Sequence, residues 1–223
     1  MCQRCPRLVR HREWTAQEKV RRYRDWTYWG RPVPGFGDPT ARLLVVGLAP
    51  AAHGGNRTGR IFTGDRSGDF LYRTLYWAGF ASQPTSIDRN DGLHLTDCYV
   101  TAAVRCAPPD NKPTPIELRH CRPFLLEELT LLWQIRVIVA LGQIAFRACL
   151  NALEARGVPL PIPMPRFGHG QVTVFQNDLA LVASYHPSQQ NTQTGRLTEA
   201  MFQRIFNVAR RYLDTNSGEP TTG

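Results

Sequence analysis

Leu43 to Val46 form a short apolar run, the pattern of a strand buried on both faces. Gly47 ends the run, and Pro50 blocks continuation as a helix. Gly54, Gly55, Gly59, Gly64 and Gly68 then follow within fifteen positions. Glycine at that density lets a backbone approach a ligand closely. Arg57, Arg60, one aromatic residue (Phe62) and one carboxylate (Asp65) lie inside the stretch. Ser67 then opens an apolar-periodic helix through Leu71, Leu75 and Ala78. Strand, polar glycine loop and helix in that order are where an α/β sheet binds a ligand beyond the carboxyl end of a strand. With neither Gly-Lys-Ser/Thr nor Gly-x-Gly-x-x-Gly, the stretch is not a nucleotide P-loop or a dinucleotide fingerprint.

The remaining pattern extends this unit into one α/β domain. Arg10 to Trp29 reads as a basic, aromatic helix with a packed stripe, and Gly30 to Pro39 as a loop. Asp97 to Val104 reads as a strand, followed by a proline-rich loop. Thr114, Pro115 and Glu117 fit N-cap, N1 and N3 of a capping box opening a helix to about Trp133. Arg136 to Leu141 is a third strand, with a helix over Gln143 to Leu153 after it. Gln171 to Phe175 and Leu179 to Ala183 form a two-strand unit, with the turn at Gln176 to Asp178. A polar loop, Ser184 to Thr192, precedes a last helix from Leu197 to Leu213. The expectation is a single domain over 1–213, with a disordered tail at 214–223. Its helices alternate with strands that form a mostly parallel sheet covered on both faces.

Charge and cysteines bound the function. The net charge of +9 favours a polyanionic partner. There is no run of eighteen apolar residues and no signal-peptide pattern, so the expectation is a cytoplasmic, nucleoid-associated protein without membrane contact. Cys98 and Cys149 sit among apolar residues and read as core thiols. Cys2, Cys5, Cys106 and Cys121 instead combine a C-x2-C pair with a C-x14-C pair. Zinc and a [4Fe-4S] cluster each take four such ligands, and spacing alone does not choose between them.

Four segments carry a resemblance: Gly47-Leu-Ala-Pro-Ala-Ala-His-Gly-Gly, Gly59-Arg-Ile-Phe-Thr-Gly-Asp-Arg-Ser-Gly, Cys106-Ala-Pro-Pro-Asp-Asn-Lys-Pro and His186-Pro-Ser. Together they resemble the iron–sulfur uracil-DNA glycosylases of bacteria and archaea, within that superfamily family 5 (type B). The resemblance runs from Cys2 to about Leu213. It implies a central four-stranded parallel sheet between helices, a three-layer αβα arrangement. It also implies a structural [4Fe-4S] cluster on Cys2, Cys5, Cys106 and Cys121, with zinc as the alternative. A ligand at position 2 suggests a native chain that extends further upstream. The superfamily's usual polar residue in the first motif is missing from Leu48-Ala49-Pro50-Ala51, and the resemblance to family 5 implies that the later aspartate, here Asp65, takes over. That departure goes with a substrate range reaching beyond uracil to hypoxanthine and other damaged bases.

The implied chemistry assigns roles. A base in a duplex must be flipped out before its glycosidic bond is reachable. Phe62 would stack on it. Gly47, Leu48, Ala49, Ala51 and His53 would line its pocket and offer backbone N–H groups. Neutral His186 would donate to a uracil carbonyl as negative charge develops. Asp65 would stabilise the sugar cation and orient water, and Asn111 would hold the water or the sugar. Ser188, Gln189, Gln190 and Asn191 would touch phosphate or fill the gap left by the base, and Arg60, Arg66 and Arg196 would contact phosphates. Lys19 and Lys112 are the only lysines and lie outside these loops, which argues for hydrolysis without a Schiff-base lyase step. The expected form is a monomer acting on double- or single-stranded DNA with deaminated bases. A rival reading is a non-enzymatic iron–sulfur module that recognises damaged or single-stranded DNA.

Overall fold

The computed structural model describes residues 2–175 and 178–215. Six strands form one mixed sheet: β1 (Phe36–Gly37), β2 (Leu43–Gly47), β3 (Cys98–Ala102), β4 (Val137–Leu141), β5 (Val172–Val174) and β6 (Ala180–Ser184), in spatial order β1-β3-β2-β4-β6-β5. The expected four-strand parallel sheet is its centre, since β3, β2, β4 and β6 pair in parallel. The strand count is corrected to six because β1 and β5 add antiparallel edges. β1 lies inside the segment read as a loop. Only Phe36 and Gly37 pair there, too few for a period-2 signal, and a side chain at Gly37 would strike the Cys98 carbonyl. Gln176 and Asn177 of the proposed turn lie outside the described residues, as do 216–223 of the expected tail.

The central strands are buried on both faces, as continuous apolar runs require. Leu43 and Val45 face α3 (Arg66–Trp77) and α7 (Glu199–Thr215). Leu44 and Val46 face α4 (Pro115–Leu131) and α5 (Gln143–Ala155). Two apolar layers thus hold the sheet, and Cys98 and Cys149 are buried within them. The capping box at α4 forms as read, with the Thr114 hydroxyl accepting from the Glu117 N–H and the Glu117 carboxylate accepting from the Thr114 N–H.

The N-terminal segment needs a second correction. The first helix, α1, covers Pro6–Glu18, not Arg10 to Trp29, and Lys19 leaves it at φ 44°. Trp14 is 59% exposed, so it belongs to no packed stripe. Past Lys19 the aromatic residues turn back over the glycine loop and its one-turn helix α2 (Gly55–Thr58). The Arg57 guanidinium lies 3.8 Å from the Tyr23 ring centre and 4.1 Å from that of Trp26. The Trp29 and Gly30 N–H groups donate to the Arg57 and Asn56 carbonyls. Residues able to pack at helical spacing are instead drawn out over a cation by cation–π attraction.

Candidate active site

The carboxyl ends of β2, β4 and β6 converge, and the loops leaving them place the site. Gly47 closes β2, and a side chain there would meet the Phe62 ring at 2.5 Å, so only glycine lets the ring lie on the strand end. Phe62 is held at φ 50°, an uncommon conformation for a bulky residue and one found where a site over-determines its backbone. Two contacts fix it: the Tyr72 hydroxyl donates to the neighbouring Ile61 carbonyl, and Gly68 presses on the Phe62 carbonyl, where a side chain would come within 1.8 Å. The His186 ring faces Phe62, with centroids 5.8 Å apart and planes at 31°. Gly142, at the end of β4, lies against His186. Burial lowers the His186 pKa to about 4, so its imidazole is neutral at physiological pH. The Asn191 side-chain N–H donates to the His186 carbonyl at 2.8 Å and holds the loop.

Asp65 is the N-cap of α3. Its Oδ1 accepts from the Gly68 N–H at 2.9 Å, and its Oδ2 lies against Gly54. Burial pushes the carboxyl up from the ordinary range, although the Gly68 and Ser67 N–H groups and Arg57 favour the ionised form. The same carboxylate therefore caps a helix and faces the Ala51–Gly54 turn, where the Ala51 carbonyl accepts from the Gly54 and Asn56 N–H groups. The Gly47 and Leu48 carbonyls are taken by the Ala103 and Val104 N–H groups, which pins the loop base to the chain leaving β3. His53 accepts or donates at Nδ1 to the Tyr28 hydroxyl at 3.0 Å, and burial lowers its pKa.

Other candidates are placed differently. Arg60 is corrected: it is 3% exposed and forms a two-pronged ion pair with Asp91 at 2.9 and 2.6 Å, with further donation to Ser86 and Thr63. A guanidinium so enclosed cannot reach a phosphate. Arg66 is exposed at the start of α3, and the exposed Arg196 lies over the Tyr185 ring at 4.7 Å. Ser188 caps the short helix α6 (Gln189–Gln193) by accepting from the Asn191 N–H, so Ser188 and Asn191 are engaged in shaping the loop while Gln189 and Gln190 are exposed. Ala49 packs against an apolar cluster of Leu8, Val104 and Cys106. Asn111 is exposed, at φ 55° after Asp110 at φ 53°. No hydrogen bond among the described residues ties its side chain to Asp65 or His186.

Cys2, Cys5, Cys106 and Cys121 line one cavity. No group of three or more His, Cys, Asp or Glu side chains among the described residues closes around a single metal ion. The surroundings are donors aimed at sulfur. Arg12 is fully buried and donates to the Cys106 sulfur at 3.1 Å, and the Arg105 N–H donates to the Cys121 sulfur at 3.2 Å. The Nε atoms of Arg12 and Arg105 are buried without partners. Arg105 pairs with Glu128 and Arg12 with Glu13, but an unpartnered buried guanidinium N–H is costly, and an anionic thiolate-ligated cluster beside Arg12 would offer it an acceptor. The residues present therefore fit such a group. Sequence reading missed Arg12, although Cys5, Leu8, Arg12 and Thr15 fall at the spacing of one helix face, and such a stripe with a cysteine at its head was the available signal. The Arg7–Glu117 ion pair at 2.7 Å ties α1 to the start of α4.

Residues 34–210 match the profile of the uracil DNA glycosylase superfamily. The type-5 uracil-DNA glycosylase of Mycobacterium bovis is 52% identical over 212 residues, covering 95% of this chain and 78% of that protein. That of Thermus thermophilus is 53% identical over 210 residues, covering 94% and 93%. A type-4 uracil-DNA glycosylase of Archaeoglobus fulgidus is 29% identical over 157 residues, covering 70% of each chain.

Proposed function

The chain belongs to the uracil DNA glycosylase superfamily, and from that membership we propose a hydrolytic cycle carried by Phe62, His186 and Asp65. The activity is that of a type-5 uracil-DNA glycosylase, a hydrolase of N-glycosyl bonds acting in base excision repair. The flipped base lies on the Phe62 ring at the glycine end of β2. His186, neutral because it is buried, donates to the base carbonyl as the bond breaks and negative charge moves onto the base. Asp65, once ionised, stabilises the opposite charge on the sugar and orients the water that replaces the base. The observation that carries this reading is the Phe62–His186 pair standing over Gly47 at the convergent strand ends.

The finer reading is a monomeric single domain over 1–213 that takes double- or single-stranded DNA. It hydrolyses hypoxanthine and other damaged bases besides uracil, and it leaves an abasic site without a lyase step. Incubation with end-labelled uracil DNA, followed by hot alkali, should cleave the strand at uracil, and omission of alkali should leave it intact. Retained tight binding without alkali-labile sites would favour the non-enzymatic module instead.

Cys2, Cys5, Cys106 and Cys121 would hold a [4Fe-4S] cluster. The support is that Arg12 and the Arg105 N–H already point at two of the sulfurs. Bound there, the cluster supplies a cross-link between residues about a hundred positions apart, not a chemical step. Protein made with ample iron should absorb broadly near about 400 nm and contain iron and sulfide. Stoichiometric zinc with no iron would overturn the assignment.

The His186 shift has a consequence for pH. Burial depresses its folded pKa from 6.5 to about 4, so the stabilising neutral form is fully present above 6.5 and is lost as pH falls through about 4. Urea denaturation of wild type should show stability falling across that window, and His186→Asn should flatten the fall. An unchanged slope in His186→Asn would place the titrating group elsewhere.

A further inference from the structure

A second groove opens beside the site, and its chemistry is unlike that of the base pocket. It has a volume of about 480 Å3 and runs between α4 and α5. Arg119, Arg122 and Arg147 line it over a floor that includes Leu125, Ile144 and Ala148, and no carboxylate contributes to its wall. None of the three guanidinium groups has an ion-pair or hydrogen-bond partner among the described residues. Three unpaired arginines converging on one groove repel each other and hold a strong positive potential, which an anion would relieve. The apolar floor meanwhile leaves Ile144 42% exposed.

The groove's wall is built from chain that adjoins the site. Ala103, on its wall, donates its N–H to the Gly47 carbonyl at 2.9 Å. Pro113, on the same wall, is two residues from Asn111. Ile144 is two residues from Gly142, which lies against His186. The nucleotides flanking one flipped onto Phe62 would therefore lie on the side of the fold where this groove opens. The geometry points to a DNA subsite: the groove binds the stretch of the damaged strand flanking the flipped nucleotide. The three arginines take its phosphates and the apolar floor takes the face of an unstacked base. This pairing of a cationic track with an apolar platform is how single-stranded nucleic acid is held without sequence preference. An acidic protein segment would use the charges but has no need of a base-sized apolar floor, so DNA is the occupant the groove fits better.

This assignment rests on the uracil-excision reading for its register, and the test separates the two. Affinity is read on single-stranded oligonucleotides carrying one non-cleavable fluorinated deoxyuridine, lengthened stepwise on one side and then on the other. Wild type should gain affinity on extension to one side only. In the triple variant Arg119→Ala/Arg122→Ala/Arg147→Ala that gain should vanish, while affinity for the shortest substrate and its single-turnover rate stay at the wild-type level. The slope of log Kd against log salt on the long substrate should fall by about 2, from roughly 0.7 per phosphate on single strands. The triple lysine variant, which keeps the charges, should retain the salt slope and shows that the fold is intact. Undiminished length dependence in the alanine variant would overturn the proposal and leave the groove to an acidic protein partner. Equal loss on short and long substrates would also overturn it. Wild-type protein that releases no uracil from cleavable DNA would defeat the excision reading, while a one-sided, arginine-dependent gain would still support the groove.

Discussion

Asp65→Asn should slow excision of every base by about 2–4 kcal/mol in barrier, roughly 30- to 1,000-fold, while leaving the fold almost as stable as wild type. The size follows from losing one preorganised charge beside the developing sugar cation, which all substrates share. The choice of asparagine follows from the structure. Asp65 caps α3 through the Gly68 N–H, so alanine would also remove a cap and cost about 1 kcal/mol of stability. Asparagine caps nearly as well and removes only the ionised carboxylate. Because burial raises the Asp65 pKa, wild-type activity should rise with pH as the carboxyl ionises, and the asparagine variant should lose that limb. His186→Ala should behave differently across substrates. Uracil leaves as an anion and needs the imidazole donor, whereas hypoxanthine can be protonated on its own ring before leaving. Single-turnover kinetics on both bases, with binding measured separately, checks the division. Wild-type rates in Asp65→Asn would remove Asp65 from the mechanism and make Asn111 the next candidate for holding water.

Arg60→Ala should destabilise the protein by about 3–5 kcal/mol, the range for stripping one partner from a buried ion pair. Asp91, whose side chain is 8% exposed in the pair, would be left without a cation, although the Ile87 and Leu93 N–H groups would still donate to it. Burial alone would raise the Asp91 pKa, and Arg60 is the strongest of the groups that hold it below the ordinary range. Without Arg60 the loop from Ser86 to Leu93 loses its anchor to the glycine loop. Urea denaturation measures the loss. A double variant, Arg60→Met with Asp91→Leu, should recover part of it, because no buried charge is then left alone. An unchanged midpoint in Arg60→Ala, together with a flatter salt dependence of DNA binding, would return Arg60 to the phosphate contacts.

Much of the scaffold was legible in local pattern, because its causes are local. Leu43 to Val46 could only be a strand buried on both faces, and the Thr114–Pro115–Glu117 cap depends on three neighbouring residues. The glycine loop announced a close backbone approach, and the folded chain supplies the reason: Gly47 admits the Phe62 ring, and Gly68 admits the Phe62 carbonyl. The motifs were enough to bring Phe62 and His186 into one hypothesis, although 124 positions separate them, and the fold sets their rings 5.8 Å apart with planes tilted by 31°.

Tertiary structure alone decided which charges face the solvent. Arg57, Arg60 and Arg66 are chemically identical in the sequence. One is clasped by Tyr23 and Trp26, one is buried on Asp91, and one is exposed. Periodicity carries no information about a partner thirty residues away, so it could not distinguish them. The same limit explains the edge strand at Phe36–Gly37 and the early end of α1. Both depend on surfaces presented by other segments, the β3 edge and the Arg57 cation. Long-range pairing of charge, ring and sheet edge is a property of the packed chain, and only the fold assigns it.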